Sequence, residues 1–257
     1  MKAAGTRLIL ALAWGSFAHA QQMPAGLPKK VAQRETESEA ARANFTYRQS
    51  VLIEELDERG ARRGDYQETR EVIFSPQAER TEQATGKPRK NLVRLGLTEE
   101  DFRDIREVQP FLLTSEKLWL YQIRYKGEET IDGIDCHVLD VQPRQLLDGQ
   151  RLFEGLFWVD KRDFSIIRSF GRAVPQIWST KGENLFPRFT TVRKKMANGF
   201  WFPDQTFADD ILPFRGGPIH IRMTIQYAGY KQFQTESNIT FSPPTQPPAT
   251  PAKPPEP

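Results

Sequence analysis

Ile219-His220-Ile221-Arg222-Met223-Thr224-Ile225-Gln226-Tyr227 alternates apolar and polar side chains without a break. Successive side chains of a strand point to opposite faces. The segment therefore predicts a strand with Ile219, Ile221, Met223, Ile225 and Tyr227 buried and His220, Arg222, Thr224 and Gln226 wet. The same period recurs at Trp119, Tyr121, Ile123 and Tyr125, and at Phe153, Phe157 and Val159 with Gly155 between them. Turn residues separate such runs. Asp160-Lys161-Arg162-Asp163 joins 156–159 to 164–170, Ala197-Asn198-Gly199 joins 189–195 to 200–207, and Gly60 to Gly64 turns 45–56 back as 66–74. Strands that follow one another without intervening helices pair most economically as antiparallel neighbours.

Two helices are expected. Residues 30–42 are charged and Ala-rich without Gly or Pro, and β-forming residues start at Asn44-Phe45. Thr98 followed three residues later by Asp101 has the spacing of a capping box, with Phe102 and Ile105 on one side of the turn. The expected fold is mainly β (α+β): a curved antiparallel sheet or incomplete β-barrel covered by one or two helices, forming one domain over 31–241. Neither a 20- to 50-residue repeat nor a sustained heptad pattern is present.

The ends differ in character from the middle. Lys2 and Arg7, the apolar run Leu8 to Trp14 and Ala18-His19-Ala20 before Gln21 are the three regions of a secretory signal peptide, cleaved after Ala20. An uncleaved anchor is the competing reading. No Cys stands near that site to be acylated, and no later stretch has the ~20 apolar residues of a membrane span, so a released, periplasmic protein is expected. Residues 21–30, with Pro24, Gly26 and Pro28, are expected to be a flexible leader. Residues 242–257 hold 8 of the chain's 19 prolines and no large apolar side chain, which predicts a solvated, extended tail.

The composition narrows the chemistry. Against 33 acidic residues stand 36 Lys and Arg, and loss of a leader carrying Lys2 and Arg7 leaves a net charge of +1, which is not the balance of a nucleic-acid-binding protein. With a single Cys, a monomer forms no internal disulfide. Cys136 and His137 are adjacent in a strand-like run and point to opposite faces, so they do not share a metal, and Cys136 reads as a buried thiol. His220 falls on the wet side of its strand beside Arg222. Nucleophile-elbow, zinc-protease and phosphate-loop motifs are absent. Neither a cofactor nor a metal site is expected.

The acidic neighbours at 99–101, 128–129 and 209–210 read as a helix start, a turn and a loop. An enzyme would require distant carboxylates, or His220 and a carboxylate, to converge in a cleft. Arg63-Gly64-Asp65 spells an adhesion tripeptide by composition alone, and the sequons at Asn44 and Asn238 matter only in a host that glycosylates exported chains. Arg193-Lys194-Lys195 reads as a solvated edge that resists unwanted strand pairing, or as a contact for anionic lipid head groups.

Gly127-Glu128-Glu129-Thr130-Ile131-Asp132-Gly133-Ile134-Asp135-Cys136-His137-Val138-Leu139, then Trp158-Val159-Asp160-Lys161 and a return strand through Arg168, resembles exported LolA/LolB-like proteins of the outer-membrane lipoprotein-sorting superfamily. Phe200-Trp201-Phe202-Pro203 and the final strand continue in that style. The resemblance implies an incomplete barrel wrapped over helices, with an apolar cavity that accepts acyl chains. On that reading Trp119, Tyr121, Ile123, Phe157, Val159, Ile221, Met223 and Ile225 are the candidate lining, the partner is a lipid or an acylated lipoprotein, and no catalysis is involved. Relatives with this fold also serve as envelope-stress sensors that bind proteins. The alternative is therefore an envelope protein-binding or structural component with a packed core.

Overall fold

The structure is a computed structural model that describes residues 22–75, 79–146, 149–178 and 183–232. The expected signal peptide and Pro-rich tail lie outside the described residues. Helix α1 spans Leu27–Arg42, and the strands are β1 (Phe45–Leu56), β2 (Arg62–Phe74), β3 (Arg80–Ala84), β4 (Arg89–Lys90), β5 (Tyr121–Ile131), β6 (Ile134–Pro143), β7 (Leu152–Asp160), β8 (Ile166–Val174), β9 (Ile177–Trp178), β10 (Glu183–Asn184), β11 (Phe189–Lys195), β12 (Trp201–Leu212) and β13 (Ile219–Gln232). The short helix α2 (Glu99–Arg103) runs into a π-helical turn at Asp104–Val108, and a 3-10 turn spans Leu118–Leu120.

Eleven strands form one sheet in the order β3-β2-β1-β13-β12-β11-β8-β7-β6-β5, with β4 also beside β2. Every pairing is antiparallel. The three expected turns all join neighbouring strands, and β13 closes the order by lying between β12 and the N-terminal β1. Its alternation is as expected: Ile219, Ile221, Met223, Ile225 and Tyr227 are buried, and the intervening residues are not.

The sheet stays open because β3 and β5 do not pair. It nevertheless bends around the segment that follows α2. Arg80 in β3 donates from Nη1 to the Arg106 carbonyl at 2.7 Å, and Phe111 stands edge-on to Tyr121 in β5 with ring centroids 5.5 Å apart. Ten flat strands at about 4.8 Å spacing would hold those edges about 43 Å apart, more than a partly helical five-residue link spans. Phe111 then stacks on Phe153 and Phe157 of β7 at centroid distances of 5.6 and 6.0 Å.

Several local expectations are corrected. Helix α1 begins at Leu27, inside the expected leader, because Pro28 fits a first turn where no N–H partner is required. It buries only a thin stripe of Leu27, Val31, Ala32, Glu35 and Ser38. Polar anchors hold it instead: Arg34 donates to the Ser165 hydroxyl and the Gly199 carbonyl, and Ser38 to the Trp201 carbonyl. Trp119 lies in the 3-10 turn before β5, not in the strand, and is 71% exposed. The carboxylates of 128–129 and 209–210 lie within β5 and β12 rather than in a turn and a loop. Arg193 is buried, so the basic triplet is not solvated throughout, and only Lys194 and Lys195 face water. The α2 capping box is present, with the Thr98 hydroxyl accepting from the Asp101 N–H and the Asp101 carboxylate accepting from the Thr98 N–H.

Candidate functional site

The C-terminal half of α1, the end of β2, the start of β3 and the segment 106–117 border a half-open pocket of about 650 Å³. Phe74, Leu112, Pro110, Ala40 and Ala43 supply its apolar wall, and Arg42, Arg80, Arg106 and Lys117 bring cations to it beside Glu39 and Glu107. A tie between the two walls comes from Ser115, whose N–H donates to the Thr36 hydroxyl at 3.0 Å. The volume falls in the range of small-molecule sites, which are mostly apolar with a few placed polar groups.

The charges are unevenly satisfied. Lys117 faces Glu39 at 3.9 Å and sits over the Phe111 ring, and Arg80 reaches Glu82 at 2.8 Å. Arg42 Nη1 and Arg80 Nε are closed to solvent and make no hydrogen bond. Gln49 and Gln109 are each 1% exposed, and Gln49 Nε2 and Gln109 Oε1 are also unpaired. Arg80 Nη2 donates to Gln49 Oε1 at 3.5 Å, while Thr191, Thr206 and the Tyr227 hydroxyl continue a buried polar chain. Burial pushes the Tyr227 phenol up to about 12, and burial likewise raises that of Tyr230 against the nearby Arg42 charge. Both phenols stay protonated and neutral at neutral pH.

The sequence-derived lining residues do not form this pocket. Tyr121, Phe157, Val159, Ile221, Met223 and Ile225 are buried in the packed core, and Ile123 is half-buried against it. Trp119 projects to solvent. None of these eight stands on the pocket wall. Conversely, Arg42, Arg80, Arg106, Lys117, Phe74 and Leu112 escaped the sequence reading. A basic residue at the end of a helix, as Arg42 is, has an ordinary reason to be there through the helix dipole, so it carries no distinguishing signal.

His220 does meet a carboxylate. Its Nε2 lies 2.5 Å from Asp209 Oδ1, and Arg222 donates to Asp209 Oδ2 at 3.0 Å. The cluster lies on the wet face of β12 and β13, with the His220 and Asp209 side chains 28% and 34% exposed. The His220 hydrogen bond lowers the Asp209 carboxyl, with Arg222 adding to it, so the acid stays ionised as part of a surface charge cluster. In Arg63-Gly64-Asp65 the aspartate is buried and accepts from Arg89, which leaves no free tripeptide to read.

No family model and no curated protein matches the chain. Among solved structures it is similar to a DUF1329 family protein from Desulfovibrio piger (15% identity over 86% of this chain and 96% of that one, TM-score 0.40). It is also similar to a putative outer membrane lipoprotein-sorting protein domain from Vibrio parahaemolyticus (12%, 82% and 94%, TM-score 0.36) and to a LolA superfamily protein from Nitrosomonas europaea (13%, 77% and 93%, TM-score 0.32). These likenesses concern the fold and do not extend to a ligand. The class expected is the class observed among the described residues, a mostly antiparallel open sheet with few helices.

Proposed function

We propose that this is an exported, non-catalytic protein that reversibly binds a hydrophobic ligand, a lipid or the acyl chain of a lipoprotein. The ligand's place is the pocket between α1 and the segment 106–117, not the packed core under β7 and β13. The observation that carries this reading is the 650 Å³ pocket with Phe74, Leu112 and Pro110 on its wall. Each methylene moved from water into an apolar site gains about 0.8 kcal/mol, so a partly buried chain binds without covalent chemistry.

A protein partner added as a strand at β5 is the alternative. That edge carries Arg124, Lys126 and Glu128 and a register shift between Tyr125 and Gly127, all of which discourage strand addition. The ligand reading is therefore preferred.

The test is export of the full chain, purification without detergent, organic extraction and mass spectrometry, followed by titration with a fluorescent fatty-acyl probe. Ala40 is exposed on α1 and faces the pocket, so Ala40→Trp fills the space at a position the core does not use. Probe binding is expected for the parent and for Phe157→Leu, and its loss for Ala40→Trp. Absence of both co-purifying lipid and probe binding would sink the proposal. Loss in Phe157→Leu with retention in Ala40→Trp would move the site into the core.

A further inference from the structure

We infer that the pocket selects an amphiphile with an anionic head group, a carboxylate or a phosphate, held by Arg42 and Arg106. This rests on the ligand reading above and specifies its chemistry. The pocket's two acids do not cancel its cations: Glu39 faces Lys117 at 3.9 Å, Glu107 is exposed, and Arg80 already reaches Glu82 and the Arg106 carbonyl. Arg42 and Arg106 remain. Among the described residues, neither guanidinium has a carboxylate or carbonyl partner, and Arg42 Nη1 is sealed from water without a hydrogen bond.

Arg42 and Arg106 both line the pocket, and their remaining guanidinium N–H groups are the ones an oxyanion there would meet. Planar N–H pairs suit carboxylate and phosphate oxygens, and a guanidinium paired with such an oxyanion makes stronger hydrogen bonds than with water. The apolar wall of Phe74, Leu112 and Pro110 borders the same pocket, so one molecule with a charged head and an aliphatic tail can meet both features. A neutral alcohol of equal chain length would bury its tail and leave the arginines as they are.

The experiment displaces a bound fluorescent acyl probe from the full chain with dodecanoate, dodecyl phosphate, dodecanol and inorganic phosphate. Both anionic amphiphiles are expected to act at concentrations about tenfold below dodecanol at low ionic strength, with the advantage shrinking in salt. Their order tells a carboxylate from a phosphate site. Within Arg42→Gln and within Arg106→Gln, the ratio of anionic to neutral affinity should fall toward one, and Arg42→Lys should restore much of it. A ratio internal to each variant is insensitive to the folded fraction. Equal displacement by dodecanol and the two anions would overturn the head-group inference while leaving the ligand reading intact. So would a fall in all affinities together in the glutamine variants, or displacement by inorganic phosphate alone. Failure of every amphiphile to bind would overturn both.

Discussion

Glu35 on α1 and Arg193 on β11 form a buried pair in which Arg193 Nη1 lies 2.9 Å from both carboxylate oxygens and the two side chains are 1% and 3% exposed. The pair is fully engaged. Ile166 of β8 donates its N–H to Glu35, and Arg193 donates from Nη2 to the Phe111 carbonyl at 2.6 Å and from Nη1 to the Ile166 carbonyl at 3.2 Å. One ion pair thus fastens helix, sheet and the segment that carries half of the pocket.

Removing one partner leaves an uncompensated buried charge. Glu35→Ala or Arg193→Ala is expected to cost about 3–5 kcal/mol in urea unfolding. In Glu35→Leu/Arg193→Met both charges are gone. The cost of the double variant should fall short of the sum of the two single substitutions by roughly 1–3 kcal/mol. Additive costs would show that the pair is not coupled.

Gly155 and Gly171 stand opposite each other in β7 and β8, and Gly155 has φ 156°. A Cβ on Gly171 would press into the Glu154 carbonyl and the Phe153 ring, and the Phe153 ring anchors the stack of Phe111 and Phe157. Gly171→Ala is therefore expected to destabilise the fold by about 1–3 kcal/mol through overpacking. Unchanged denaturation midpoint and near-UV circular dichroism would count against it.

Burial pushes the Asp101 carboxyl up from its ordinary 3.8 to about 6, against the Thr98 hydrogen bonds that pull it down. The unfolded chain therefore releases this proton first as pH rises. The folded state is favoured by this group below about pH 4, loses that advantage between pH 4 and 6, and carries a constant penalty above. Asp101→Asn removes the titration and keeps an acceptor for Asn184, whose Nδ2 donates to Asp101 Oδ1 at 2.7 Å. Relative to that variant the parent should lose roughly 2–3 kcal/mol from pH 4 to 7, because each tenfold difference in proton affinity between folded and unfolded chains is worth about 1.4 kcal/mol. A stability difference flat in pH would contradict the assignment.

Cys136 is fully buried, donates weakly to the Ile134 carbonyl at 3.4 Å, and has its thiol pushed up to about 11 by burial and then by Asp160 and Asp135. A protonated, enclosed thiol is a poor nucleophile. Aromatic disulfide reagents should label it only as fast as the protein unfolds, and promptly in urea. Rapid stoichiometric labelling of the native chain would show that the site opens.

The strands, their turns and the Thr98 cap were legible because each follows from chemistry within a few residues: alternation for β13, Asn-Gly for the β11–β12 turn, Thr-x-x-Asp for α2. Misreadings occurred where local chemistry was silent or ambiguous. Trp119 continues the period of Tyr121 and Ile123 yet precedes the strand, because the chain is still turning at Leu118–Leu120. Arg193 beside two lysines reads as surface, and only the arrival of Glu35 from α1 makes its burial tolerable. The apolar face of a strand looks the same whether it packs a core or lines a cavity.

The chain's own order of side chains thus determined an antiparallel, largely β domain with a wet and a dry side to each strand, since backbone pleat and side-chain size act between near neighbours. Tertiary structure alone decided that the dry side is filled by Phe153, Phe157 and their neighbours, and that a pocket opens beside α1. Arg42, Arg80, Arg106 and Lys117 come from three separate stretches and meet only after the sheet has bent around the segment following α2. No local pattern encodes such a meeting, because its free energy comes from contacts between residues that the sequence holds far apart.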